Sequence, residues 1–238
     1  IEGCWVDSDV SGDTNVGGFC GLVDAPTDPP TIRNCTVTST VNGSAYVGGV
    51  VGQGYGDLIS ISADVAVSST GDGTWAGGLA GSHGNGTITN CAVEGTVHSD
   101  GTLSWLGGLV GNCMGTNISR CRTDVHVTAE NGEYMGGLVG ILQGSTSLIS
   151  DSSSSGTVNS LNSSNSIVGG FAGTVRGNIH NCSSSASVSG KSRTGGFTGL
   201  IGTGITIEGC SAFGDVTSSG DRSEERCVGK ECRSRWSP

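Results

Sequence analysis

The sequence is poor in basic residues, aromatics and proline: of 238 residues, 11 are Lys or Arg, 5% are aromatic and four are proline. The net charge of −10 argues against nucleic-acid binding, which needs clustered cations to neutralise phosphates. No apolar run approaches the ~20 residues of a membrane-spanning helix. Charged residues, at 13%, are too few for a solvated disordered chain. Glycine is abundant instead, with 44 residues, and because interior glycines weaken helices, the composition favours an all-β fold.

The two ends of the chain differ from its body. Residues Asp221–Pro238 contain five of the 11 Lys and Arg residues and break the composition of everything before them. We therefore divide the chain into a repeat body, 1–220, and a tail, 221–238, that we expect to be non-native or disordered. The chain begins at Ile1, inside a repeat and without Met or a signal peptide, so we expect it to be a fragment of a longer protein.

Two fixed motifs recur along the body. In the first, an aliphatic residue is followed at +3 by Cys or a small or apolar residue and at +9 by Val. It occurs eight times, as Ile1/Cys4/Val10, Ile32/Cys35/Val41, Leu58/Ile61/Val67, Ile88/Cys91/Val97, Ile118/Cys121/Val127, Ile149/Ser152/Val158, Ile179/Cys182/Val188 and Ile207/Cys210/Val216. The second is Gly-Gly-apolar-x-Gly, which begins at Gly17, Gly48, Gly77, Gly107, Gly136, Gly169 and Gly195. Fixed motifs with variable spacers indicate fixed strands joined by variable loops.

The first motif alternates with a period of two, which predicts a strand with one buried face. Its odd offsets from +3 to +9 are small and mostly apolar, and its even offsets are mostly polar. A unit of about 30 residues is too small to bury its own apolar face, so neighbouring units must stack. The sequence therefore predicts an all-β fold, a right-handed parallel β-solenoid (β-helix) of about seven to eight coils and roughly 35 Å in length.

The phrases ITNCAVEGTVHSDGTLSWLGGLVG, from Ile88, and IRNCTVTSTVNGSAYVGGVVG, from Ile32, resemble the GLUG repeat, named for its Gly-Leu-x-Gly core. The resemblance covers about residues 1–220. It implies an extracellular bacterial protein, because such repeats occur in adhesin-like surface and secreted chains and in non-catalytic regions of IgA-specific metallopeptidases. The motif is specific for the family and not for a function.

The cysteines predict a buried ladder. Six of them occupy the +3 position, at Cys4, Cys35, Cys91, Cys121, Cys182 and Cys210. Ile61 and Ser152 fill the same position in other coils, so it favours a small or apolar group rather than a thiol as such. Free buried cysteines are the favoured interpretation. Disulfides between coils remain the alternative, although in-register side chains point alike rather than toward each other.

Residue patterns for catalysis or metal binding are missing, so we predict no catalytic residues, no metal, no cofactor and no enzyme activity in this segment. There is no H-E-x-x-H, G-x-S-x-G or phosphate-binding loop. His98 and His126 lie in neighbouring coils without a third ligand, which favours solvated surface residues. At +6 an acidic column contains Asp7, Asp64, Glu94 and Asp124; we interpret it as a hydrated stripe, with relief of its charge by Arg122 or Ca²⁺ as the alternative.

One aromatic column is a candidate ligand-binding site. Tyr46, Trp75, Trp105 and Tyr134 stand two residues before successive Gly-Gly pairs. In-register stacking predicts a spacing of about 4.8 Å, close to one sugar residue, so successive rings would meet successive pyranose faces. Packing against the body of the solenoid is the other interpretation of these residues.

Three functions are compatible with these patterns. The first is a non-catalytic structural or adhesive rod of a bacterial cell-surface or secreted protein. The second is a surface on that rod that binds carbohydrate or glycoprotein, with host glycans or glycoproteins as partners. The third is an accessory region of a secreted metallopeptidase whose catalytic domain lies outside this chain. All three place the chain outside the cell or at its surface. The sequence makes no prediction of oligomeric state.

Overall fold

The computed structural model describes residues 1–24 and 30–219, which form a parallel β-solenoid. Each coil contains three strand stretches. The first follows the +3 position and consists of β1 (Trp5–Ser11), β5 (Thr36–Gly43), β8 (Ser62–Ser69), the start of β11 (Ala92–Gly107), the start of β13 (Arg122–Gly136), β16 (Ser153–Ser160), β20 and β21 (Ser183–Ser184, Ser187–Gly190), and β25 and β26 (Ser211–Ala212, Val216–Ser218).

The second stretch leads into each Gly-Gly pair, and the third leaves it. The second consists of β2 (Val16–Gly17), β6 (Tyr46–Gly48), β9 (Trp75–Gly77), the ends of β11 and β13, β17 (Ile167–Gly169) and β22 (Arg193–Gly195). The third consists of β3 (Cys20–Val23), β4 (Thr31–Arg33), β7 (Val51–Ile59), β10 (Ala80–Thr89), β12 (Val110–Ser119), β14 (Val139–Gln143), β15 (Leu148–Ser150), β18 (Ala172–Val175), β19 (Asn178–His180), β23 (Thr198–Ile201) and β24 (Ile207–Glu208).

The strands form two sheets, and every pairing in them is parallel. The first and second stretches make a 15-stranded sheet, and the third stretches make an 11-stranded sheet. Seven third stretches and eight first stretches give seven turns and part of an eighth. The all-β fold and the parallel solenoid predicted from the repeats are confirmed. Within the described residues no helix has the length and apolarity that a membrane span requires.

The register of the sheets matches the repeat offsets. All eight +9 valines are Cα partners in one row, from Val10 to Val216. Six of these valines, from Val41 to Val188, are at most 2% exposed, and the two at the ends are half-buried. Each coil therefore buries its apolar side chains against its neighbours, as a unit too small for its own core must.

The Gly-Gly corner requires its glycines for steric reasons. A Cβ on Gly107 would overlap with the carbonyl oxygen of Val110, and one on Gly108 would overlap with the carbonyl oxygen of Gly137 in the next coil. The last glycine of the motif, Gly111, lies against the backbone of the second stretch, where a Cβ would be 2.7 Å from the carbonyl oxygen of Trp105. The motif therefore allows the second and third stretches to approach backbone to backbone.

The opposite corner, at offset +2, is a second conformational repeat. The residue there has a positive φ in all eight coils: Gly3, Asn34, Ser60, Asn90, Arg120, Asp151, Asn181 and Gly209, with φ between 50° and 68°. Side chains along this row bond to one another, as where Asn90 Nδ2 donates to Ser60 Oγ. Asn, Asp and Gly tolerate this left-handed conformation better than other residues do.

The division of the chain at residue 220 stays a prediction, because the tail 221–238 lies outside the described residues.

Candidate functional site

The structure brings the four predicted aromatic residues together in one row. Tyr46 pairs with Trp75, Trp75 with Trp105, and Trp105 with Tyr134 as Cα partners. Each side chain is half-buried. The next residue in the row, Ile167, is only 4% exposed. A side chain at this position therefore packs against the solenoid, and the larger aromatic rings are covered only in part.

The ring planes in this aromatic column do not repeat from coil to coil. The centroids of Tyr46 and Trp75 are 4.8 Å apart with the planes at 79°, and those of Trp75 and Trp105 are 5.9 Å apart at 82°. Trp105 and Tyr134 are parallel within 3°, with centroids 5.9 Å apart. Two of the three neighbouring pairs meet edge to face, so the four rings share no common plane, and glycan binding by the column stays a prediction.

Short connections join the first and second stretches next to the aromatic column; they are turns in some coils and irregular parts of β11 and β13 in others. A Cβ built on Gly73 would be 3.9 Å from Cζ3 of Trp105, so the turn at Gly73 passes close to the ring of the next coil. In that turn the Oδ1 atom of Asp72 accepts hydrogen bonds from the backbone N and the Oγ1 of Thr102, at 2.9 and 2.8 Å. These two hydrogen bonds hold the pKa of Asp72 below its ordinary value, and the bond from the backbone N–H of Thr102 has the larger effect. The carboxylate is therefore anionic at neutral pH.

The acidic column lies on the outer face of the 15-stranded sheet. Glu94 is the Cα partner of both Asp64 and Asp124, so three carboxylates stand on successive coils. Glu94 and Asp124 line a shallow groove with Arg122 and small serine side chains, but within the described residues Arg122 makes no ion pair with any of the three carboxylates. In the same residues no group of three or more His, Cys, Asp or Glu side chains is placed to share a metal ion.

The histidines of neighbouring coils do not form a common site. His98 contacts the Asp100 carboxylate at 2.8 Å, whereas His126 bonds to Thr157 at 3.1 Å. The Cα partner of His126 is Thr96, so the two imidazoles are out of register with one another.

The cysteines of the +3 ladder are free, and they are buried except at its two ends, where Cys4 and Cys210 are half-buried. Cys35, Cys91, Cys121 and Cys182 are 1–2% exposed, and no described cysteine is in a disulfide. Each of these thiols contacts the carbonyl two residues upstream, as Cys121 contacts that of Ser119 at 3.3 Å. Ser152 repeats the contact with an Oγ–O distance of 2.7 Å to Ser150. The position accordingly accommodates a thiol or a bonded hydroxyl.

A buried histidine, His83, is a feature that the repeat pattern did not predict. It lies in the third stretch between Gly54 and Cys113 of the neighbouring coils and is 1% exposed. Its Nδ1 is 3.0 Å from Oγ1 of Thr116, and its Nε2 has no partner among the described residues. Desolvation lowers the pKa of His83 to about 4, against the opposing attraction of the Asp57 carboxylate. The sequence offered one signal for this burial. His83 is a polar residue at a position of the third stretch where other coils have residues such as Val23, Leu142 and Val175.

The repeat geometry agrees with a comparison to known protein families. The family model for the GLUG motif matches residues 12–42, 73–97 and 131–159. The chain carries GLUG motifs. Each match runs from a second stretch, through the Gly-Gly corner, to the region of the +9 valine of the following coil. The coils between the matches have the same register, so one structural unit repeats throughout the described residues. No curated protein and no solved structure shows a significant match to the chain.

Proposed function

We propose that the GLUG solenoid is a non-catalytic rod segment of a bacterial cell-surface or secreted protein, with a structural or adhesive role. The observation that carries this proposal is the uninterrupted row of +9 valines across eight coils. A stack in which each coil contacts only its neighbours becomes longer with every added repeat and needs no single central core. The extracellular location rests on the resemblance to surface and secreted chains.

Labelling of intact cells tests this proposal. Antibodies raised against the full chain are expected to label non-permeabilised cells of the source organism, or to recover the protein from the culture medium. An antibody against a cytoplasmic enzyme, applied in parallel, reports cell breakage. Labelling that requires permeabilisation would contradict the proposed location.

A second candidate function is binding of carbohydrate or glycoprotein by the aromatic column. It is supported by four half-buried rings in register on one edge of the solenoid. Half-exposed Tyr and Trp combine apolar contact area with a polar group, as binding sites commonly require. A glycan array probed with the full chain tests it. Retention by defined glycans is expected to disappear in Trp75→Ala/Trp105→Ala and to persist in Tyr55→Ala, which changes a half-buried aromatic outside the column. An array without hits would contradict this candidate.

A further inference from the structure

We propose that the aromatic column binds an organic ammonium group, carried on a polymer such as a substituted glycan. The inference rests on the second candidate function, because it requires the column to be a binding surface. It adds the chemical class of the group that is recognised.

The ring planes favour a compact group over a flat one. Trp75 stands nearly perpendicular to both Tyr46 and Trp105, at 79° and 82°. A row of this kind has no continuous flat platform, because two of its three neighbouring pairs meet edge to face. A pyranose stacks best on an unobstructed ring face, whereas a substituted ammonium is small, round and attracted to the negative face of Trp or Tyr.

The charge of the adjacent turns has one sign. The segments that lead into the four rings, 42–46, 69–75, 98–105 and 128–134, contain Asp72, Asp100, Glu130 and Glu133 and no Lys or Arg. The partners that the structure gives for two of these carboxylates are not fixed cations: Glu130 bonds to Asn162, and Asp100 bonds to His98. A cationic ligand is therefore favoured over a neutral one, and an anionic ligand is disfavoured.

Asp72 supplies a charge close to the aromatic column. A Cβ built on its neighbour Gly73 would be 3.9 Å from Cζ3 of Trp105, and two hydrogen bonds from Thr102 hold the Oδ1 of Asp72 in place. Within the described residues the Oδ2 of Asp72 accepts no hydrogen bond, and the residue is exposed. A carboxylate and aromatic rings in one region supply the two interactions that bind substituted ammonium groups, an ion pair and a cation–π contact.

Choline and its neutral isostere 3,3-dimethylbutanol test the inference, because they share a shape and differ in charge. The full chain, labelled with ¹⁵N, is titrated with each while the indole N–H signals are followed by NMR. Signals assigned by Trp75→Phe and Trp105→Phe are expected to shift saturably with choline, with an affinity at least fivefold above that for the isostere. Added salt and Asp72→Asn are each expected to weaken choline binding severalfold, and Tyr55→Ala is expected to have no effect.

Two results would overturn the inference: equal binding of choline and the isostere, or no saturable shift with choline. If Trp75→Ala unfolds the chain, as its melting curve would show, Asp72→Asn still tests the inference, because that side chain is exposed.

Sedimentation with phosphatidylcholine vesicles distinguishes an ammonium group on a polymer from one on a lipid headgroup. Because the carboxylates near the column repel the lipid phosphate, no co-sedimentation is expected. Co-sedimentation would overturn the assignment to a polymer. Array hits limited to neutral glycans would support the second candidate function and contradict the ammonium group.

Discussion

Acidification is expected to destabilise the solenoid through His83. The imidazole is 1% exposed and lies in an interior row of small and aliphatic residues. Its pKa falls from an ordinary value of 6.5 to about 4, chiefly because burial penalises the charged form. In the unfolded chain the same group takes up a proton near pH 6.5. The unfolded state therefore binds more protons between pH 6.5 and 4, and the free energy of unfolding falls as the pH is lowered through that range.

The size of the effect follows from the shift. A difference of about 2.5 pKa units corresponds to about 3 kcal/mol, at 1.36 kcal/mol per unit. This stability is complete above pH 6.5 and lost by about pH 4. The neutral ring also carries an unbonded Nε2, and a buried polar atom without a partner costs about 1–3 kcal/mol at any pH.

His83→Leu removes both the titrating imidazole and the unbonded Nε2. It places an apolar side chain in a row that already contains Leu142. Thr116 Oγ1 still has the backbone carbonyl of residue 83 within 3.2 Å. Urea unfolding at pH 7 and pH 4, followed by far-UV circular dichroism, measures the loss of stability on acidification. That loss is expected to be about 3 kcal/mol smaller in the variant than in the wild type.

The matched control is His126→Gln, which changes an exposed histidine bonded to Thr157 and is expected to follow the wild type at both values of pH. If His83→Leu loses as much stability between pH 7 and pH 4 as the wild type, the assignment of the acid sensitivity to this buried imidazole is wrong.

Four further predictions concern the coil and the tail. Gly107→Ala is expected to cost more than about 3 kcal/mol because its Cβ would overlap with a carbonyl oxygen, whereas Gly204→Ala, in open space at a φ of 72°, is expected to cost about 1 kcal/mol; urea titrations compare them. Leu103→Gly is expected to raise stability by about 0.5–1 kcal/mol, measured as a higher melting temperature, because an exposed leucine there has a φ of 56°. Cys91→Ala and Cys91→Ser are each expected to cost about 1 kcal/mol in urea, since a serine is already bonded at this ladder position in another coil; a much larger loss in the serine variant would contradict this. Deletion of Asp221–Pro238 is expected to leave the melting temperature unchanged, and a loss of several degrees would show that the tail caps the solenoid.

Register was the most predictable feature of the fold, because the offsets of the repeat are invariant. A fixed separation between Ile88, Cys91 and Val97, repeated in every coil, permits one parallel pairing, since a shift by one residue would turn the buried side chains outward. The left-handed corner was predictable too. Gly, Asn, Asp or Ser occupies offset +2 in every coil except that of Arg120. That composition is typical of positions with a positive φ.

The chemistry of individual side chains was less predictable. The location of His83 in the interior depends on the path of the third stretch after the Gly-Gly corner, where period-two alternation no longer separates inside from outside. Neighbouring residues Ser82 and His83 are both buried, which a simple alternating pattern does not allow. The free state of the cysteines likewise follows from side-chain direction, since the thiols of the ladder point alike toward carbonyl oxygens.

The aromatic column shows why a correct register does not determine a binding surface. Coils repeat about every 4.8 Å, whereas closely stacked atoms are separated by about 3.5–4.0 Å. In-register rings that stayed parallel and directly superposed would therefore leave a gap in each pair. Tyr46, Trp75 and Trp105 fill it by turning edge to face, and Trp105 and Tyr134 remain parallel with centroids 5.9 Å apart. A sequence specifies the spacing of such a column through its backbone, but the ring planes follow from how the side chains fill that spacing. The ring planes in turn limit which chemical group the column can hold, because rings that share no common plane offer no continuous flat face to a chain of sugars.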